Sequence, residues 1–328
     1  MRIYLGACGC SALLVACALS ACGSDATPAS PSGSAGAGSD AAGSAGEAGS
    51  AGSQVSDSAQ WPMPNSVGLG LPNPANYDSS TTPGIVHDLV TGLDWLQDPG
   101  TELYPRADAV NHCAELSFAG FDDWRVPEFI ELVSLFSVVP SEADPLDPVY
   151  IAPVFQAQGR FWSASSVTSA NLGRLLDFTA DGCGTSTSCS IGVGGKADEA
   201  LGGAFCVRGS QPPVTSARYQ TDGDEVADLR TGLTWIGVPV NDQTGAYADA
   251  VDACDALGSG ARLPSITELL SILVPILDKK AFPDWPADAF AWSSSTIPAK
   301  PDTYWAGAIT GATEAALATS HNRIECVR

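Results

Sequence analysis

The chain has 328 residues, 45% of them apolar and 16% charged, enough for one large or two modest domains. Its formal net charge of −22 opposes nucleic acid and anionic membrane surfaces, which are bound through lysine and arginine patches, so nucleic-acid binding is set aside. Such acidity favours solubility and identifies no partner by itself.

The opening residues, MRIYLGACGCSALLVACALSAC, place Arg2 before an apolar stretch too short for a stable membrane span. They read as an export signal over residues 1–21. Leu19-Ser20-Ala21-Cys22 resembles the lipobox of bacterial lipoproteins, in which the cysteine is lipidated and becomes the new N-terminus. Leu14-Val15-Ala16-Cys17 fits the same pattern, but apolar sequence ends and polar sequence begins at Cys22, which favours Cys22. Ordinary secretion with cleavage near Ala21 is the alternative. Gly23 and Ser24 follow with no acidic residue, and the resemblance then implies lipid anchoring in the outer membrane of a Gram-negative cell envelope. Residues 22–60 continue as a Gly/Ala/Ser linker without Lys, Arg or an aromatic residue, which cannot bury apolar area and is expected to be disordered. As a random coil it spans roughly 35 Å, and it serves either as a stalk or as a passive spacer.

Past Trp61 the chain repeats itself, in a first domain at 61–211 and a second at 212–328. Asp88-Leu89-Val90-Thr91-Gly92-Leu93-Asp94-Trp95 returns as Asp228-Leu229-Arg230-Thr231-Gly232-Leu233-Thr234-Trp235. Both read as hairpins, with Thr-Gly in the turn and Leu and Trp on one strand face. Next, Val110, Cys113 and Leu116 match Val251, Cys254 and Leu257 on one predicted helix face. Then Arg125-Val126-Pro127 and Arg262-Leu263-Pro264 open a second helix, with proline expected in its first turn. Phe129, Leu132, Val133 and Phe136, and in the second copy Ile266, Leu269, Leu270 and Leu273, form its core stripe. Trp162-Ser163-Ala164-Ser165 and Trp292-Ser293-Ser294-Ser295 follow, and each copy closes on Cys-Val-Arg, at 206–208 and 326–328.

Beyond Cys8, Cys10, Cys17 and Cys22, six cysteines remain, and six allow 15 pairings. The repeat narrows them. Cys113 and Cys206 occupy the places of Cys254 and Cys326, so each copy pairs its first helix with its last strand. Cys183 and Cys189 then close a small loop in a segment peculiar to the first copy. An exported chain meets an oxidising compartment, consistent with this scheme. The competing zinc reading finds no Cys-x-x-Cys, and His87, His112 and His321 match no zinc spacing, so no metal and no cofactor are expected.

Together the hairpin, the helix cysteine, Trp-Arg-Val-Pro-x-x-x-Glu-Leu, Trp-Ser-x-Ser and Cys-Val-Arg resemble the C-terminal domain family of the bacterial collagen-like adhesin Lcl, in two tandem copies. Arg-Leu-Pro…Glu and Cys-Val-Arg are also similar to elements of the formylglycine-generating sulfatase-modifying enzymes, and a helix cysteine bridged to the last strand resembles C-type lectin-like domains. These likenesses imply an α+β fold: two tandem C-type lectin-like domains, each with two helices and a twisted antiparallel sheet, after the disordered linker. The Lcl likeness implies adhesion or glycan binding, although sulfated, anionic glycans do not suit so acidic a chain. The enzyme likeness implies reactive cysteines, which the pairing scheme consumes, so no catalytic residue is assigned.

Arg125 with Glu131, and Arg262 with Glu268, read either as ligand-gripping guanidinium groups or as internal ion pairs, and their recurrence beside a core stripe favours the ion pair. Asp222-Gly223-Asp224-Glu225, Asp122-Asp123 and Asp177 offer calcium-type oxygens, but turn acids explain them better. Trp162 and Trp292 with their serines could stack on a sugar, and a core position is the commoner use. The expected function is a non-catalytic, surface-anchored binding or adhesion module for an extracellular or envelope partner, a glycan among the candidates. A self-assembling envelope protein, or an enzyme related to the sulfatase-modifying group, are the alternatives.

Overall fold

Short strands with apolar residues at alternate positions begin each copy. In a computed structural model, which describes residues 61–138, 150–167, 172–179, 192–210, 218–236, 244–273, 289–297, 300–308 and 313–328, strands β1 (Tyr77–Asp78), β2 (Ile85–Asp88) and β3 (Asp94–Leu96) form an antiparallel meander. Val86 pairs with Trp95, and both are fully buried. Gly92 turns the chain at φ +72° and Gly232 does so at +78°, in the left-handed region where side chains are strained. Helices α1 (Arg106–Ala114) and α2 (Phe129–Ser134) follow, then β4 (Arg160–Val167), β5 (Leu172–Asp177), β6 (Gly192–Ala197) and β7 (Val207–Arg208). The second copy runs β8 (Tyr219–Asp222), β9 (Glu225–Asp228), β10 (Thr234–Ile236), β11 (Thr244–Gly245), α3 (Tyr247–Ala256), α4 (Ile266–Leu273), β12 (Phe290–Thr296), β13 (Thr303–Ala308), β14 (Thr313–Leu317), β15 (Asn322–Arg323) and β16 (Cys326–Val327).

The class is mixed α+β, but each copy divides its strands between two sheets where one was expected. The hairpin sheets run β1-β2-β3-β7 and β8-β9-β10-β16, and the others run β4-β5-β6 and β11-β15-β12-β13-β14. The reason lies in the last strand. Val207 pairs with Trp95 on one edge, and on its other edge it exchanges two backbone hydrogen bonds with Arg125, so β4 cannot join there. Val327 and Arg262 repeat the arrangement. Between the named strands pairing is antiparallel except where Ala291 meets Arg323, and the isolated bridges Asn65–Pro74 and Phe161–Gly203 are parallel too.

Two helical expectations are corrected. The buried face of α1 is Ala109 and Cys113, while Val110 is exposed and Leu116 lies beyond the helix end. In α3 it is Ala250 and Cys254, and Leu257 is exposed. Small residues one turn apart let these helices approach the last strand closely enough for a sulfur bridge. The prolines sit one residue before the N-caps of α2 and α4 rather than inside them. Their carbonyls accept hydrogen bonds from Ala164 and Ser294 N–H at 2.7 Å, a role outside the helical ladder. All of α2 is buried, its polar side too, because α4 and the sheets surround it. The Leu273 side chain lies outside the described residues.

The copies share one core. Phe136 and Tyr150 stack at 5.5 Å, and Trp305 from the second copy meets both edge-on at 6.2 and 5.6 Å. Trp61 N–H donates to the Arg230 carbonyl at 2.7 Å, and Asn65 Nδ2 donates to Glu268 Oε1 at 3.1 Å, so the segment opening the first copy is fastened to the second. All described residues fall within a single compact unit, Val55–Arg328.

Candidate binding site

Each shared polar residue has a partner inside the fold. Arg125 grips Glu131 with two hydrogen bonds of 2.7 Å, and Arg262 grips Glu268 with the same two distances. Both carboxylates are buried, and each also accepts the backbone N–H at the helix entrance: Glu128 N–H at 2.6 Å, Ser265 N–H at 2.8 Å. The guanidinium therefore compensates a buried charge that orients the helix. The serines close the same structure. Ser165 Oγ accepts the Phe129 N–H and Ser295 Oγ the Ile266 N–H, both at 3.0 Å, serving helix-entrance donors from a strand. Ser163 donates to the Arg174 carbonyl and Ser293 to the Trp305 carbonyl. Trp162 and Trp292 are fully buried, and their indole N–H groups donate to the Tyr104 and Gly245 carbonyls at 2.8 Å. Neither ring offers a face to a sugar.

Cys113 is bonded to Cys206 and Cys254 to Cys326, tying each first helix to its last strand. Cys22, Cys183 and Cys189 lie outside the described residues. The acidic candidates do not converge: among the described residues no three metal-ligating side chains cluster. Asp123 holds Arg208, Asp177 accepts from Thr179 N–H and Oγ, and Glu225 holds Arg328 at 2.6 Å.

One open surface among the described residues lies on the first copy. A groove of about 550 Å³ runs beside Leu103, which is half-exposed, between Asp98, Glu102 and Asp177 on one hand and Gln158 and Arg160 on the other. Its volume is in the range of small-molecule sites, roughly 300–1,000 Å³. Glu102 Oε2 accepts the Tyr104 hydroxyl proton at 2.6 Å, and this bond raises the Tyr104 pKa above the ordinary phenol value. The Tyr104 ring stacks on His112 at 4.9 Å. At the matching place in the second copy Tyr104 becomes Gly245, so the phenol that holds the groove residue Glu102 belongs to the first copy alone.

Residues 84–190 match the Lcl C-terminal domain family. No curated protein matches the chain. The match holds the hairpin, both helices and the first Trp-Ser-x-Ser block, and most of the groove lies within the Lcl-type span. The match does not reach the second copy, whose likeness to the first is the internal repeat. The groove residues gave no sequence signal, because they come from a loop, a strand edge and a turn that no periodicity links. Comparing the copies offers the one clue, since Leu103-Tyr104 stands where the second copy has Thr244-Gly245.

Proposed function

We propose that the protein is a non-catalytic binding or adhesion module, anchored to the outer membrane through a lipid on Cys22 and held off it by the 22–60 linker. In this reading each copy is a C-type lectin-like scaffold, and the groove beside Leu103 takes an extracellular or envelope partner. The observation that carries it is the engagement of the repeated Arg–Glu pairs and serines within the fold, which leaves recognition to surfaces the copies do not share. The adhesin family matched over residues 84–190 supports the same class of function. Four cysteines held in bridges weigh against the enzymatic alternative, which depends on reactive thiols.

Three carboxylates against one arginine favour a neutral or basic ligand, a hydroxyl-rich glycan or an amino sugar, over a sulfated polyanion. The test is an array of neutral, amino and sulfated glycans probed with the full chain and with a Leu103→Asp/Gln158→Ala variant. Binding to neutral or amino glycans that falls at least tenfold in the variant is expected. Binding confined to sulfated glycans, or untouched by the substitutions, overturns the assignment.

A further inference from the structure

A second cavity, distinct from the groove and independent of its reading, lies where the copies meet. It measures about 90 Å³, well below a drug-sized pocket, and holds room for a single small group. Three arginines line it: Arg174 from β5, Arg218 just before β8, and Arg230 from the turn after β9. Two are neutralised. Arg218 donates to both carboxylate oxygens of Asp228 at 2.8 and 2.6 Å, and Arg230 donates to Glu128 Oε2 at 2.6 Å.

Arg174 is different. It is only 7% exposed, and among the described residues no carboxylate or hydrogen-bond acceptor meets its guanidinium, which lies 5.8 Å from the centre of the Phe129 ring. Burial alone acts on its pKa, lowering it, with no compensating charge. A buried guanidinium without an anion is costly, and an apolar side chain would serve the packing better. The second copy makes that comparison directly. Ser163 donates to the Arg174 carbonyl where Ser293 donates to that of Trp305, so the two residues correspond, and Trp305 is a fully buried core residue. The other cavity arginines also stand where the first copy has none: Arg218 answers Asn76 and Arg230 answers Val90. The Nε of Arg230 is buried and has no partner, and Ser165 contributes a hydroxyl that lines the same space.

We propose that this cavity binds a small oxyanionic group, a phosphate, sulfate or carboxylate, with Arg174 as the counter-charge. A planar guanidinium presents two parallel N–H donors to two oxygens of such a group, and a partly enclosed site strengthens that contact relative to open water. The volume admits one oxyanion and excludes a polymer chain. Glu128, paired with Arg230, also lines the space, so among the described residues Arg174 supplies the one uncompensated charge there, and the small volume selects a compact anion over an extended one.

The test uses the full chain in detergent solution, titrated with sodium phosphate, sulfate or acetate at ionic strength held constant with chloride. Binding is read by calorimetry and by the ¹⁵Nε signal of Arg174, for wild type, Arg174→Met and Arg174→Gln. In wild type at least one oxyanion is expected to shift that signal and raise the melting temperature beyond chloride, and which one does so distinguishes phosphate, sulfate and carboxylate. Both variants lose at least tenfold in affinity, yet in chloride alone Arg174→Met melts at or above the wild-type temperature, since it removes an uncompensated charge. No anion-specific response in wild type, or an equal response in variants that still fold, overturns the assignment. Should Arg174→Met fail to fold in chloride, the cation would be a structural requirement, and the proposal would fall with it.

Discussion

Replacing Arg262 with methionine strips the charge partner from Glu268 while keeping much of the side chain's length and apolar contact. Glu268 is fully buried and accepts four hydrogen bonds: two from Arg262 at 2.7 Å, one from Ser265 N–H at 2.8 Å and one from Asn65 Nδ2 at 3.1 Å. Removing one partner of a buried pair costs about 3–5 kcal/mol, because the remaining carboxylate is left uncompensated. Two donors survive the substitution, so the lower end applies, about 3 kcal/mol. At roughly 2–4 °C per kcal/mol for a body of this size, the melting temperature falls by roughly 6–12 °C. The Arg262→Met/Glu268→Leu double variant removes both charges and recovers most of the loss, since a buried pair replaced by apolar groups is often nearly neutral. Equilibrium urea unfolding of the two variants against wild type measures the loss and its recovery. A loss below about 1 kcal/mol in Arg262→Met would place the guanidinium among exposed charges, where single pairs contribute that little, and would return it to the role of a ligand-gripping group.

Two further outcomes follow from the same interior. Removing either sulfur bridge, as Cys113→Ala/Cys206→Ala or Cys254→Ala/Cys326→Ala, releases a loop of 93 or 72 residues and is expected to lower stability by up to about 4–5 kcal/mol, read by urea unfolding; equal stability would show that the loops are already constrained. Glu325 is completely buried, which outweighs its ion pair with Arg323 and pushes its pKa up from 4.5 to about 7. Its protonated form favours the fold, so the contribution is full below pH 4.5 and is lost as pH rises to about 7, on the order of 3 kcal/mol. Glu325→Gln is expected to flatten unfolding stability across that window, and an unchanged slope would refute the assignment.

The hairpins and the partnership of Arg with Glu were legible because each is local: turn chemistry, a six-residue spacing and a core stripe all lie within short stretches. The repeat made the sulfur pairings legible over longer range by removing alternatives. The serines were visible as a motif but not as helix-entrance partners, since Ser165 reaches the Phe129 N–H across 36 residues. The segment around Trp61 to Asn65 carried no periodicity, and its attachment to the second copy spans 203 residues at Asn65 and Glu268. Arg174 escaped notice for a geometric reason. Both β4–β5 and β12–β13 shift register near the Trp-Ser block, so which residue of the next strand faces each serine emerges only from the strand pairing.

That hidden correspondence bears on why two copies differ at all. Trp305 packs edge-on against the stacked Phe136 and Tyr150 rings, and the same position in the first copy holds Arg174 beside a cavity. The first helices diverge likewise: Tyr247 stacks on Tyr304 at 3.5 Å, where the first copy lays Arg106 against Gly173, so closely that a Cβ on Gly173 would meet Arg106 Cδ at 2.3 Å. A tandem of two first copies would lose the indole that joins the halves and gain a second unpaired guanidinium. A tandem of two second copies would put Trp305 in place of the cavity's Arg174 and remove the Tyr104 hydroxyl that holds Glu102 in the groove. The disulfides, the Arg–Glu pairs and the serine contacts are indifferent to such exchanges, since both copies carry them. One exchange would remove the indole at the junction and the other the groove and the unpaired guanidinium, so these features belong to the mismatch between the copies rather than to their likeness.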